Sequence, residues 1–272
     1  MKGSKGARED SGSPSPAAGK ADEVPMSYPQ PLGEPGSKAP GKEVSAPPVA
    51  FPPEDPGLAA SRREMVELQI RSRGIRDEGV LKAMRRVPRH LFVPESARRS
   101  AYMDGPLPIG HGQTISQPYI VALMTELGRP TKSSKALDVG TGSGYQAAIL
   151  AELCKEVYSI EILEPLANQA RQLLAQLGYT NITVRCGDGY RGWPEEAPFD
   201  LIIVAAAPDH IPQPLIDQLA EGGRLVIPVG GYYQQQSLTV VERQLGGDLR
   251  QWGVIPVAFV PMTGEAQSKS RE

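Results

Sequence analysis

From Lys135 onward, short apolar runs of strand character alternate with amphipathic helical stretches, and this alternation restricts the possible folds more than any other feature of the chain. The strand-like runs are Ala136–Val139, Val157–Ile160, Ile182–Cys186, Leu201–Val204 and Leu225–Val229. The helical stretches among them are Tyr145–Leu153, Pro165–Leu177 and Pro214–Leu219. Strands separated by helices pair in parallel and carry the helices on both faces of the sheet. The chain then changes character: Ser237–Gln244 and Gln251–Val260 are joined by Gly246-Gly247-Asp248 with no helix between them, which signals a hairpin. The expected fold class is therefore α/β, doubly wound and Rossmann-like, with a mostly parallel seven-stranded sheet finished by an antiparallel C-terminal hairpin.

Upstream, Met65, Leu68 and Ile70 recur at helix-like spacing, and a second helix over Glu78–Arg86 ends at Val87-Pro88. These predict an N-terminal helical cap. Pro118 opens a further helix through Leu127, with Gly128 as its stop signal. Residues 1–56 are rich in Pro, Gly, Ser, Ala and Lys and cannot offset their own ordering entropy, so they read as a disordered tail: a linker, an extended start with Met26 as an internal alternative, or a docking arm. The expected folded domain spans 57–265, divided into a helical cap with the loop that follows it (57–133) and the sheet (134–265), followed by a tail over 266–272.

Composition excludes several partners. With 31 acidic and 29 basic side chains, the chain has no basic face for nucleic acid and no charge excess for an anionic membrane. No run approaches the ~18 apolar residues of a bilayer span. The N-terminus lacks the apolar core of a secretion signal, and Glu9, Asp10, Asp22 and Glu23 argue against a transit peptide. Cys154 and Cys186, the only cysteines, each lie in an apolar segment and read as two buried thiols of a cytoplasmic protein.

The first strand, ending Leu137-Asp138-Val139, runs into Gly140-Thr141-Gly142-Ser143-Gly144 and then a helix. Glycines there let backbone approach a ligand closely, and the helix start offers free N–H groups. The G-x-G-x-G spacing departs from the dinucleotide fingerprint, since Tyr145 occupies the place of its last glycine, and no Gly-Lys-Ser/Thr follows to make a phosphate loop. A nucleoside ligand with an amino-acid end suits what remains, with Asp138 placed for its ammonium group. Glu161, closing the second strand, is positioned for both ribose hydroxyls, and Asp188-Gly189, after the third, for an exocyclic amine.

This arrangement resembles the class I S-adenosylmethionine-dependent methyltransferases. The segment Gly110-His111-Gly112-Gln113-Thr114-Ile115-Ser116-Gln117-Pro118-Tyr119 is similar to the substrate-side motif of the protein-L-isoaspartate O-methyltransferase family. Arg89–Pro94, Leu137–Gln146, Cys186–Gly189, and Ala205–Pro208 leading to Gly222–Gly230 fit the same family, and the likeness runs from about Ala59 to about Gly264. The resemblance implies S-adenosyl-L-methionine as cofactor and isoaspartyl residues of damaged proteins as substrate. It implies Ser116 as the active-site hydroxyl, with Asp138, Gly140, Thr141, Gly142, Ser143, Gly144, Glu161, Asp188 and Gly189 contacting the cofactor. Thr114 and His111, which share the loop of Ser116, are candidates to meet the peptide, and the chain is expected to act as a monomer.

The chemistry is compatible. A carboxylate nucleophile has a reference pKa near ~4 and is already ionised at neutral pH, so methyl transfer to it needs alignment and not a general base. A hydroxyl such as Ser116 can hold one carboxylate oxygen while the other attacks; equally, two residues before Pro118, it can cap the helix. His111 is either a substrate contact or a surface residue, and Tyr232 and Tyr233 either line a peptide channel or cover the sheet edge. His90, His111 and His210 are scattered, so no metal is expected. Val204–Pro208 lacks the Asn/Asp-Pro-Pro-aromatic segment used in methylating base amino groups. A small-molecule methyltransferase and a cofactor-binding sensor remain as rivals.

Overall fold

The computed structural model describes Val49, residues 51–231 and residues 235–269, with side chains up to Gln267. Most of the expected 1–56 tail, the Tyr232–Tyr233 pair and the end of the 266–272 tail lie outside these residues. Where the first stretch is described it is packed: Phe51 meets the ring of Tyr179 at 6.4 Å, and Arg86 Nη2 donates to the Val49 carbonyl at 2.9 Å.

The cap begins with α1 (Pro56–Glu64), opened by Asp55, whose carboxylate accepts from the Gly57 amide at 2.7 Å. The chain then widens into a π-helical stretch, Met65–Ile70, and tightens into a single turn over Arg71–Arg73. That change of pitch overturns the expected spacing, since Met65 and Ile70 are fully buried while Leu68 is 63% exposed. Helix α2 (Glu78–Arg86) matches the expected span; Asp77 caps its start and Val87-Pro88 ends it.

Between cap and sheet lies a two-stranded antiparallel ribbon, β1 (Leu107–Gly110) and β2 (Gln113–Ile115), which the sequence pattern did not announce. Its turn places His111 and Gly112 at φ 52° and 71°, the pair of positive angles of a tight hairpin. Helix α3 (Pro118–Gly128) follows.

The seven-stranded sheet contains β3 (Lys135–Val139), β4 (Glu156–Glu161), β5 (Ile182–Cys186), β6 (Phe199–Val204), β7 (Leu219–Val229), β8 (Gln236–Arg243) and β9 (Leu249–Val257). Their order across it is β5-β4-β3-β6-β7-β8-β9, parallel from β5 to β7 and antiparallel at β8 and β9. This is the expected class. Helices α4 (Tyr145–Ala151), α5 (Glu164–Gln176) and α6 (Gln213–Asp217) connect the parallel strands. Central strands β3 and β6 are buried on both faces, as strands between two helical layers must be. After β9 the chain leaves the hairpin sooner than Val260 and crosses the loop that follows β6, where Ala207 bridges Pro261. A short helix, α7 (Glu265–Lys269), ends the described chain.

Two further expectations change. Cys154 is buried, but Cys186 is exposed because β5 is an edge strand. Gly128 is not the stop signal but the last residue of α3; the left-handed C-cap is Arg129, at φ 52° and ψ 53°. Gly128 is needed for a different reason, since a Cβ there would lie 2.2 Å from Leu201 Cδ1.

Candidate active site

The carboxyl ends of β3, β4, β5 and β6 converge, as the chain topology demands of a doubly wound sheet. Gly140, Gly142 and Gly144 have φ of 93°, 51° and 86°, a left-handed path that side chains rarely follow. The loop is pinned to its neighbours: the Gly140 amide donates to the Ile160 carbonyl at 2.9 Å, and the Ala205 amide to the Val139 carbonyl at 2.8 Å. From the cap, Phe92 packs edge-on to Tyr145 at 5.4 Å, and the buried Arg89 guanidinium lies 5.1 Å from the same ring. The first residue of α4 is thereby fixed by the cap.

Asp138 is completely buried. Ser159 Oγ donates to its Oδ2 at 2.8 Å, and the Thr141 and Ser159 hydroxyls are 2.6 Å apart. Its other oxygen, Oδ1, has no hydrogen-bond partner among the described residues. Burial pushes the Asp138 pKa up to about 7, against the Ser159 hydrogen bond, and the nearby Glu161 charge adds to the rise. An orphaned carboxylate oxygen beside a glycine loop is what a ligand's ammonium group would satisfy.

Glu161 is held by two backbone amides, Gly142 at 2.8 Å and Leu163 at 3.0 Å, one on each oxygen. Each oxygen keeps a further lone pair. Asp188 accepts from the Tyr190 amide at 2.9 Å and, through its other oxygen, from the Glu265 amide at 2.8 Å. Gly264 presses so closely that a Cβ would stand 2.5 Å from Asp188 Oδ2. The C-terminal segment therefore borders the third acid, a proximity that no motif in the sequence signals. Asp138, Glu161 and Asp188 come together with the glycines as anticipated, and their chemistry fits the amino-acid and nucleoside ends of S-adenosylmethionine.

A cavity of about 1530 Å³ opens beside this loop. Thr114 and Ser116 line it, joined by Ala205 and Pro208 after β6 and by the segment after β9. Ala205 links the cavity to the glycine loop, since a Cβ at Gly140 would touch its Cβ at 3.5 Å. On the other side, Ile109 Cδ1 of β1 stands 3.3 Å from a Cβ position at Gly142. Ser116 is half-buried, and its hydroxyl bonds to no described residue. The helix-cap alternative fails: the N-cap of α3 is Gln117, and no side chain bonds the first amides there. His111 sits exposed at the ribbon turn and does not line the cavity, because the positive-φ turn carries it away from the wall that Thr114 and Ser116 share.

Sequence reasoning missed Arg73 and Asp209, the two charged side chains on the cavity wall among the described residues. It also missed the lining by Pro256–Met262. Gln117 lies within the motif that pointed to Ser116 and was legible there. Among the described residues, no group of three His, Cys, Asp or Glu side chains is placed to hold a metal.

A mostly parallel sheet ordered β5-β4-β3-β6-β7-β8-β9, with a G-x-G-x-G turn after β3 and an acid at or just past the carboxyl end of each of β3, β4 and β5, is the arrangement of a class I S-adenosylmethionine-dependent methyltransferase. Residues 60–267 match the family described as Protein-L-isoaspartate(D-aspartate) O-methyltransferase. The chain belongs to that family. It is 58% identical over 212 residues to Protein-L-isoaspartate O-methyltransferase 2 of Shewanella sediminis, covering 78% of this chain and 86% of the relative. Over 204 residues it is 59% identical to Protein-L-isoaspartate O-methyltransferase of Opitutus terrae, with 75% and 87% covered. A solved structure of a Protein-L-isoaspartate O-methyltransferase aligns with TM-score 0.68 and 29% identity, covering 75% of this chain and 67% of that one. A Plasmodium falciparum structure described as this kind of methyltransferase in complex with S-adenosyl-L-homocysteine aligns with TM-score 0.65 and 28% identity, over 74% and 98%.

Proposed function

We infer that this chain transfers a methyl group from S-adenosylmethionine to the free carboxylate of L-isoaspartyl residues in damaged proteins, beginning their repair. The observation that carries the reading is the Ser116 hydroxyl, bonded to no described residue, on a cavity whose wall, at Ala205, also touches the glycine loop. S-adenosylmethionine supplies an electrophilic sulfonium methyl.

The residues of this chain do the rest by placement. Asp138 Oδ1 is positioned to take the ammonium of the cofactor, and Glu161 and Asp188 its ribose and adenine. Gly140, Thr141, Gly142, Ser143, Gly144 and Gly189 shape the backbone around it. Ser116 donates to one oxygen of the isoaspartyl carboxylate and leaves the other to attack, while Thr114 holds the adjacent peptide. No base is required, because the nucleophile is ionised at neutral pH. Alignment alone can recover on the order of 7–11 kcal/mol of such a barrier. The methyl ester is a better leaving group than the free acid, so the following backbone nitrogen closes a succinimide with loss of methanol; water then opens the ring partly to normal aspartate.

Among the described residues no helix is long and apolar enough to cross a membrane. The net charge of −2 supports protein substrates over nucleic acid, and the reading extends to a monomer acting in the cytoplasm. The test is incubation with methyl-labelled S-adenosylmethionine and one peptide in isoaspartyl and aspartyl forms. Base-labile label on the isoaspartyl form alone is expected. Cofactor binding without label on either form would overturn the substrate assignment.

A further inference from the structure

Arg73 follows the π-helical stretch of the cap, outside every motif that pointed to the site, yet it lines the same cavity as Ser116 and Thr114. Its guanidinium lies 3.8 Å from the centroid of the Tyr119 ring, a stacking distance. Asp104 accepts from Nη1 alone, at 3.3 and 3.1 Å. Asp104 is itself fixed by Gln117, whose Nε2 donates to Oδ1 at 2.6 Å. The cation is thus oriented by three residues, two of which, Tyr119 and Gln117, also line the cavity.

Nε and Nη2 donate to no described residue. That pair is one of the two edges through which an arginine grips a carboxylate with two parallel bonds. A single nitrogen is committed to Asp104, and the fork is held open. The other charged residue on the wall, Asp209, is bonded to His210 and repels a second carboxylate.

We propose that Arg73 reads an acidic side chain of the substrate close in sequence to the isoaspartyl residue, so that the enzyme prefers isoaspartyl sites with an acidic neighbour. The inference rests on the substrate class proposed above. Arg73 and Asp104 keep 41% and 43% of their side-chain surface, so solvent moderates the effect, and a preference of about two- to fivefold is expected. It is a binding preference and appears in KM, not in kcat, because the acidic neighbour takes no part in the reacting atoms.

The experiment uses isoaspartyl peptides that differ only by Glu, Gln or Lys, placed in turn at the two positions on either side of the isoaspartyl residue. Wild type, Arg73→Gln and Arg73→Lys are compared as ratios of kcat/KM between peptides within each enzyme. The expected result is a Glu over Gln over Lys order at one or more positions in the wild type, a ratio near one in Arg73→Gln, and an intermediate ratio in Arg73→Lys. Raising KCl from 50 to 500 mM should shrink the wild-type ratio, as screening requires. A wild type indifferent to the neighbour, or a preference that survives in both variants, overturns the proposal. Failure of the wild type to methylate any of these peptides would instead refute the substrate class, and this inference would fall with it.

Discussion

Ser159 Oγ donates to Asp138 Oδ2 at 2.8 Å and leaves Oδ1 of the same buried carboxylate with no hydrogen-bond partner among the described residues. A fold that buries half of an anion's bonding capacity unmet gives up stability, and the usual reason is a ligand that meets it.

Replacing Asp138 by Asn should therefore stabilise the cofactor-free protein while disabling it. Burial raises the folded-state pKa to about 7, above the unfolded value. The stabilising contribution of a protonated Asp138 is fully present below the unfolded pKa near ~4 and is lost as pH rises through the folded value, because the native state holds the extra proton in between. At pH 8 the ionised side chain costs on the order of 4 kcal/mol, and Asn recovers part of it, roughly 1–3 kcal/mol, since its amide nitrogen then lacks an acceptor. Thermal melts should show Asp138→Asn gaining several degrees at pH 8 and nothing near pH 5. Equal effects at both pH values would mean that the carboxylate is not ionised where the argument places it.

The same carboxylate makes cofactor affinity depend on pH. An ammonium beside Oδ1 favours the ionised form, so binding expels a proton whenever the free protein holds one. Affinity should rise with pH up to about 7, by at most tenfold for each pH unit, and fall again above ~8 as the cofactor's own amino group loses its charge. Calorimetry in two buffers of different ionisation enthalpy reads the proton count directly. Release near pH 6 that vanishes in Asp138→Asn is expected; a flat affinity from pH 6 to 8 would remove Asp138 from the ammonium site.

Ser116→Ala separates catalysis from folding cleanly, because the hydroxyl caps nothing. A lost N-cap costs typically ~1 kcal/mol, about 2–4 °C in a domain of this size, and none of that is expected here. If Ser116 holds the acceptor carboxylate, kcat/KM on an isoaspartyl peptide should drop about 10- to 100-fold with cofactor affinity unchanged. A variant that melts earlier and turns over normally would restore Ser116 to the role of a cap.

The strands were legible because the sheet has long apolar runs and its helices the matching period; Ile182–Cys186 and Glu78–Arg86 fall where pattern and punctuation put them. The three acids and the glycines were legible for a related reason: a doubly wound sheet delivers strand ends to one place whatever lies between them. Arg73 and Asp209 were not, since only tertiary packing brings the cap and the loop after β6 to one wall. The ribbon β1–β2 escaped because strands of four and three residues, with Pro108 and Gly110 in the first, carry too short an alternation to read. Leu68 misled because a π-helical stretch breaks the 3.6 period on which the reading relied.

Gly128 and Arg129 show how the right residue can be read for the wrong reason, and they allow a paired test. Glycine just past a helix end usually supplies the left-handed cap, but here Arg129 takes that conformation at φ 52° and Gly128 remains helical. What excludes a side chain at 128 is the sheet: a Cβ would come within 2.2 Å of Leu201 Cδ1 and 3.0 Å of Cδ2, and Leu201 is fully buried on a central strand. Gly128→Ala should thus destabilise the protein by about 1–3 kcal/mol through overpacking, despite the better helix propensity of alanine. Arg129→Gly should do the opposite and relieve the ~1–2 kcal/mol steric cost of a left-handed side chain, less the larger backbone entropy that glycine brings to the unfolded state. Urea unfolding of the two variants against wild type decides between the accounts. Stabilisation by Gly128→Ala with loss by Arg129→Gly would return the cap to position 128 and contradict the packing of α3 on β6.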